Sequence, residues 1–210
     1  MWAVALALAG DMLVADFEGS TYGAWKTTGT AFGQGPAEGT LPNQMAVSGY
    51  KGKRLVNSFF GGDAATGTLT SPKFKVQRRY ITFLIGGGKD LEKTCVLLKV
   101  DGKVVRTASG PNDKPGGSEA LRPAFWDVSE FLTKSAVIEV IDKATGGWGH
   151  VNLDHIVQTD TKPPVAVPLV KRTFTGSGRY LNLPIKDGAP LKRVKLLMDG
   201  KLVVANNIGL

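Results

Sequence analysis

One local pattern occurs twice in this chain of 210 residues. The first copy reads Arg79-Tyr80-Ile81-Thr82-Phe83-Leu84 and then Leu97-Leu98-Lys99-Val100-Asp101-Gly102-Lys103-Val104-Val105. The second reads Arg179-Tyr180-Leu181-Asn182-Leu183-Pro184 and then Leu196-Leu197-Met198-Asp199-Gly200-Lys201-Leu202-Val203. The tyrosines lie 100 residues apart and the Asp-Gly pairs 98 apart. That period is too long for a solenoid unit, so the chain is expected to hold two tandem domains of similar architecture. After its Asp-Gly pair the first copy runs on to about Asp160, whereas the second reaches Leu210. The second domain is therefore expected to be cut short and the chain to be a piece of a larger polypeptide.

The repeated unit is built of strands. Apolar and polar residues alternate in short runs bounded by Gly, Pro, Asn and Asp, the pattern of half-buried strands and tight turns. Runs are predicted over residues 13–17, 53–60, 67–72, 74–76, 80–85, 95–100, 104–107, 136–142 and 151–157. Asp101-Gly102 between two apolar runs is a strong hairpin signal. Only Asp127–Leu132 hints at a helical turn. The 27 glycines and 11 prolines fall mostly between the runs. The fold class expected is all-β, an antiparallel, jelly-roll-like β-sandwich followed by the start of a second β domain. Pro163, Pro164 and Pro168 mark a semi-rigid linker. The expected organisation is residues 1–10 as a signal-peptide remnant, 11–160 as the sandwich, 161–170 as linker and 171–210 as an incomplete second sandwich.

The formal charge of +8 invites a nucleic-acid partner. The cations, however, are scattered through strands and turns with no basic helix or dense run, which suits solvated strand edges. No nucleic-acid partner and no membrane partner are expected. The lone Cys95 lies in an apolar run and reads as a small buried hydrophobe. Met1–Gly10 is apolar and Ala-rich, with small residues at Ala7 and Ala9 but no basic start. It resembles the hydrophobic part of an export signal, so a secreted or periplasmic location is expected.

Several local motifs could carry function. Gly86-Gly87-Gly88-Lys89-Asp90 lacks the residues of a phosphate-binding loop and reads instead as a place where backbone approaches something closely, a bound sugar among the options. In Gly146-Gly147-Trp148-Gly149-His150 a tryptophan stands among glycines, either folded onto the core or offered as a platform for a sugar ring. Along 150–157, simple alternation places Val151, Leu153, His155 and Val157 on one face and His150, Asn152 and Asp154 on the other. If the first and last strands are neighbours, Asp16, Glu18 and Asp154 could together hold a structural calcium; ordinary solvent-facing acids are the plainer alternative.

Asp16-Phe17-Glu18-Gly19, Gly39–Pro42, Leu55–Phe59, Gly67–Pro72, Ile85–Gly88, Val100–Arg106 and Gly146–Asp154 together resemble a module of bacterial family 32 glycoside hydrolases, the levanase and invertase group. The module is similar to a levan-binding, family 66-type carbohydrate-binding sandwich, and residues 179–185 resemble the start of the next segment of such enzymes. The resemblance implies a fructan (levan-like) polysaccharide as partner and a downstream catalytic domain in the same polypeptide. The Asn-Asp-Pro, Arg-Asp-Pro and Glu-Cys motifs that carry catalysis in that family are missing. Asn112-Asp113-Lys114-Pro115 departs from the first by an inserted lysine, and Cys95 follows Thr94. No catalytic residue is assigned. The sugar-binding residues expected are Trp148 and His150, with Arg106 and Glu119. Two alternatives stand beside this reading. One is a spacer that only packs on the catalytic domain. The other is a hydrolase of jelly-roll type using two opposed carboxylates drawn from Glu18, Glu119 and Asp154.

Overall fold

A computed structural model describes residues 10–164, 173, 175–176, 180–183, 188–189 and 191–209. The export-signal residues before Gly10, Pro168 of the linker, and Arg179 and Pro184 of the second repeat lie outside the described residues. The chain divides into two compact units, Met1–Val165 and Ala166–Leu210.

The first unit is all-β. Strands β1 (Met12–Ala15), β3 (Val56–Asn57), β6 (Tyr80–Gly87), β9 (Arg122–Asp127) and β11 (Val151–Thr159) make one antiparallel sheet in the order β1-β11-β6-β9, with β3 also on β11. Strands β2 (Lys26–Gly29), β4 (Gly67–Thr70), β5 (Phe74–Lys75), β7 (Thr94–Val100), β8 (Lys103–Ser109) and β10 (Ser135–Asp142) make the other, in the order β2-β4-β10-β7-β8, with β5 on β10. The helical hint at 127–132 becomes a single 3₁₀ turn, Ser129–Phe131.

The core lies between the sheets. Ile81, Phe83, Ile85, Val151 and Leu153 from one sheet share a cluster with Leu69, Val96, Leu98, Ile138 and Val140 from the other. Alternation makes this possible, because every second residue of each strand points the same way. Asp101 and Gly102 take φ of 50° and 76°, the left-handed pair that a two-residue hairpin needs, and β7 turns directly into β8.

Three sequence expectations are corrected. The run 53–60 pairs as a strand only at Val56–Asn57, because Leu55 bridges to Ala37 and Phe60 binds Ala31 in loops that cross over it. Strands β2 and β9 were not expected; β2 is short, exposed and polar, and β9 contains Pro123. The alternation of β11 breaks at a bulge between Asp154 and Val157, where His155 takes φ of 50°. Beyond the bulge Ile156, rather than His155 and Val157, joins Val151 and Leu153 in the core.

Among the described residues, the second unit contains a hairpin, β12 (Leu191–Met198) and β13 (Lys201–Gly209), turning at Asp199 and Gly200 with φ of 47° and 78°. Leu197, Met198, Leu202 and Val203 are exposed on it.

Candidate functional site: a tryptophan-walled cavity over a buried histidine

Loops of the first unit line an open cavity of about 520 Å³. Its walls are the segments 43–45, 59–63, 113–119 and 147–150. Trp148 is half-buried, and its indole N–H donates to the Lys114 carbonyl at 2.9 Å. Its ring lies 5.7 Å from the His150 ring at an angle of 30°. Trp148 holds φ of 61°. That is a strained conformation for a bulky side chain, and such strain persists where the surroundings over-determine it. The three glycines around it allow the loop to bend back on the sheet. A Cβ on Gly88 would overlap the Trp148 carbonyl oxygen, and one on Gly149 would lie 2.6 Å from the Gly146 carbonyl oxygen. The close approach expected at Gly86–Gly88 is therefore to the protein's own 146–150 loop.

His150 forms the floor. It is 2% exposed and sits between two acids. Its Nδ1 is 2.6 Å from Asp63 Oδ1, and its Nε2 lies 3.0 and 3.1 Å from the two carboxylate oxygens of Glu119. Asn152 Nδ2 donates to Glu119 Oε2 at 2.8 Å, and Phe59 meets the imidazole edge-on at 5.0 Å. Burial on its own would lower the histidine's pKa. The hydrogen bond and charge of Glu119, followed by those of Asp63, raise it above the ordinary value instead. With both ring nitrogens donating, the imidazolium is the form these partners favour.

Asp142, at the end of β10, lies behind this floor. It follows Ala136, Ile138 and Val140 on the inward face, and its carboxyl is fully buried. Burial pushes its pKa up to about 7, and the nearby Ser58 hydroxyl and Ala144 amide, neither in ordinary hydrogen-bond geometry with it, hold that rise back. Across the ladder it faces Thr94, whose hydroxyl is likewise buried and without a partner among the described residues.

Of the four expected sugar-site residues, Trp148, His150 and Glu119 converge on this cavity. Arg106 does not. It is tied to the Asp127 carbonyl at 2.9 Å and to Glu130, with its guanidinium 5.1 Å from the Phe131 ring centre. Asp63, Phe59 and Asp142 were missed. Asp63 and Phe59 stand in an unremarkable turn and strand end. Asp142 did carry a signal, since it continues an inward-facing alternation with a charge.

The expected calcium group is drawn together but its oxygens are otherwise engaged. β1 does pair with β11, and burial with the charges of Glu18 and Asp16 pushes Asp154 up to about 6. Glu18 accepts from the amides of Lys53 and Arg54, Asp154 from those of Lys51 and His155, and Asp16 from that of Glu18. Among the described residues no group of three or more His, Cys, Asp or Glu side chains is arranged to hold a metal ion. The carboxylates proposed for a hydrolytic pair do not meet in the cavity, since Glu119 lines it but Glu18 and Asp154 do not. Cys95 is buried, and burial pushes its thiol up to about 11. No described helix is long and apolar enough to cross a membrane.

No family model matches the chain. A stretch of 154 residues, 72% of the chain, is 44% identical to part of "Putative glycosyl hydrolase ecdE" of Aspergillus rugulosus, and the two are homologous over that stretch. The matched region spans 21% of that relative's length. Among solved structures, the K1 cleaved adhesin domain of Lys-gingipain from Porphyromonas gingivalis is similar, with a TM-score of 0.46 at 16% identity over 73% of this chain and 100% of the other. A cyclase from Fischerella scores 0.45 at 13% identity over the same shares. A family 35 carbohydrate-binding module from Clostridium thermocellum scores 0.36 at 13% identity over 71% and 97%.

Proposed function

We propose that the first unit is a carbohydrate-binding module that holds a secreted, fructan-hydrolysing glycosidase of the family 32 type on a levan-like polymer. One observation carries the reading. A strained, half-buried tryptophan walls a cavity whose other contacts include the Asp63 and Glu119 carboxylates and the Asn43 and Gln44 amides. Sugar rings present apolar faces edged by hydroxyls, and an aromatic wall with a few fixed acceptors and amides suits both features. Trp148 is the platform. His150 orders the acids, and the remaining lone pairs of Asp63 accept sugar hydroxyls. Homology to part of a protein named as a glycosyl hydrolase supports a hydrolase as the parent. Catalysis would then belong to a downstream domain, and tethering would raise the effective concentration of enzyme on its polymer.

Calorimetric titration of the full chain with levan, inulin, sucrose and fructose tests this. The expected result is micromolar-to-millimolar binding to a fructan, weakened at least tenfold by Trp148→Ala, a loss of about 1.4 kcal/mol. No heat from a folded sample with any of these sugars would refute it and favour the spacer.

A further inference from the structure

We infer that Asn112 is a positioning residue of the cavity: its carboxamide ties residues 112–118 into a closed loop, and that loop fixes the Trp148 ring. Its consequence for binding rests on the carbohydrate-binding reading of the cavity. Asn112-Asp113-Lys114-Pro115 thereby gains a role independent of the catalytic Asn-Asp-Pro motif from which it departs.

The argument starts from one buried side chain in an exposed loop. Residues 113–118 are exposed, so hydrogen bonds rather than apolar burial set the loop's shape. Asn112, by contrast, is 8% exposed. Its Nδ2 donates to the Gly87 and Ser118 carbonyls, each at 2.9 Å, and its Oδ1 accepts from the Ser118 amide at 3.1 Å. The bonds to Ser118 close the loop on itself, and the bond to Gly87 fastens it to the end of β6. The backbone repeats that attachment. The Asn112 amide donates to the Gly87 carbonyl at 3.2 Å, and the Lys89 amide donates to the Asn112 carbonyl at 2.7 Å. Gly110 permits the close approach, since a Cβ there would overlap the Gly87 carbonyl oxygen. The neighbouring Lys89–Asp113 ion pair is exposed on both sides and adds little.

The closed loop meets Trp148 at two points. The Lys114 carbonyl accepts the indole N–H at 2.9 Å. A Cβ on Gly117 would overlap Asn112 Oδ1 and lie 2.6 Å from Trp148 Cζ2, so only a glycine backbone separates the carboxamide from the indole. With its N–H taken by Lys114, Trp148 offers a ligand its ring surface and no hydrogen bond. Binding then depends on where the ring is held, and a ring held in advance loses less freedom when a ligand arrives.

The test uses the full chain and two readouts. ¹H–¹⁵N spectra follow the Trp148 indole N–H, assigned by its loss in Trp148→Phe, and calorimetry follows fructan binding. Asn112→Asp keeps the size and the acceptor but removes both donors and turns a carboxylate oxygen toward two carbonyls. We expect its Trp148 indole proton to exchange with solvent at least tenfold faster and its fructan affinity to fall at least tenfold, while the Trp126 indole signal stays in place. Asn112→Ala should behave like Asn112→Asp, because donors rather than bulk hold the loop. Should neither variant fold, Gly117→Ala, which pushes the carboxamide and the indole apart from an exposed position, should produce the same two changes. An unmoved Trp148 signal with unchanged exchange in folded Asn112→Asp, or in Gly117→Ala where the Asn112 variants do not fold, overturns the inference. So does a shifted signal with fructan affinity within twofold of the wild type. If the wild-type chain binds no fructan, the sugar-binding reading falls by itself, and the Trp148 signal alone decides the positioning role.

Discussion

Replacing Glu119 by Gln tests whether the Asp63–His150–Glu119 bridge is a charged one. Gln keeps the size and one acceptor oxygen, so packing is conserved. Its NH₂ cannot accept from Asn152 Nδ2, and its oxygen carries no full charge for His150 Nε2, now at 3.0 and 3.1 Å from the carboxylate oxygens. Both Glu119 and His150 are at most 3% exposed, so water does not screen the loss. Breaking a buried pair by removing one charge costs about 3–5 kcal/mol. The remaining Asp63 contact and the retained amide oxygen put the expectation at the lower end, about 3 kcal/mol at pH 5.5. With a urea m-value of about 1–3 kcal/mol/M, the midpoint should fall by roughly 1–3 M.

The cost depends on pH, and its sign follows from linkage. The folded pKa of His150 is raised, so its contribution to stability is fully present below the unfolded value, about 6.5, and is lost as pH rises through the folded value. Glu119→Gln should therefore cost more at pH 5.5 than at pH 9. Urea unfolding at both pH values, with the His150 ring titrated by NMR in each protein, supplies the measurement. The ring pKa should fall in the variant. A cost below about 1 kcal/mol at pH 5.5, in the range of an ordinary neutral hydrogen bond, or an equal cost at both pH values, would refute a buried imidazolium held by Glu119.

Two further substitutions separate the site from its scaffold. Gly88→Ala should destabilise the unit by about 2–3 kcal/mol and weaken any sugar binding with it, because the new methyl would displace the Trp148 carbonyl and with it the platform; urea unfolding and calorimetry read both effects, and a wild-type midpoint would show that the loop does not rest on this glycine. Arg106→Ala should cost about 1 kcal/mol through the lost Asp127 carbonyl bond, Glu130 pair and Phe131 contact, yet leave fructan affinity within twofold, since Arg106 lies outside the cavity; a tenfold loss of affinity would return Arg106 to the site.

Most of the strands and their turns were legible in the chain itself because their causes are local, β2 and β9 being the exceptions. Thr94–Val100 is a short apolar run and Ser135–Asp142 alternates with the two-residue period of a strand, while Asp101-Gly102 can reverse the chain wherever it lies. The glycines around Trp148 likewise announced a special loop, and three of the four expected sugar-site residues do meet in one cavity. The tertiary structure decided what stands beside them. Asp63 reaches His150 across 87 positions of sequence and Glu119 across 31, distances over which no local pattern specifies a neighbour. The bulge at His155 comes from a non-glycine residue at positive φ, so nothing in the spacing foretold that Ile156 would take the core position. The burial of Asp142 needed both sheets. One strand's parity turned its carboxyl inward, but only the assembled fold closed water away from it.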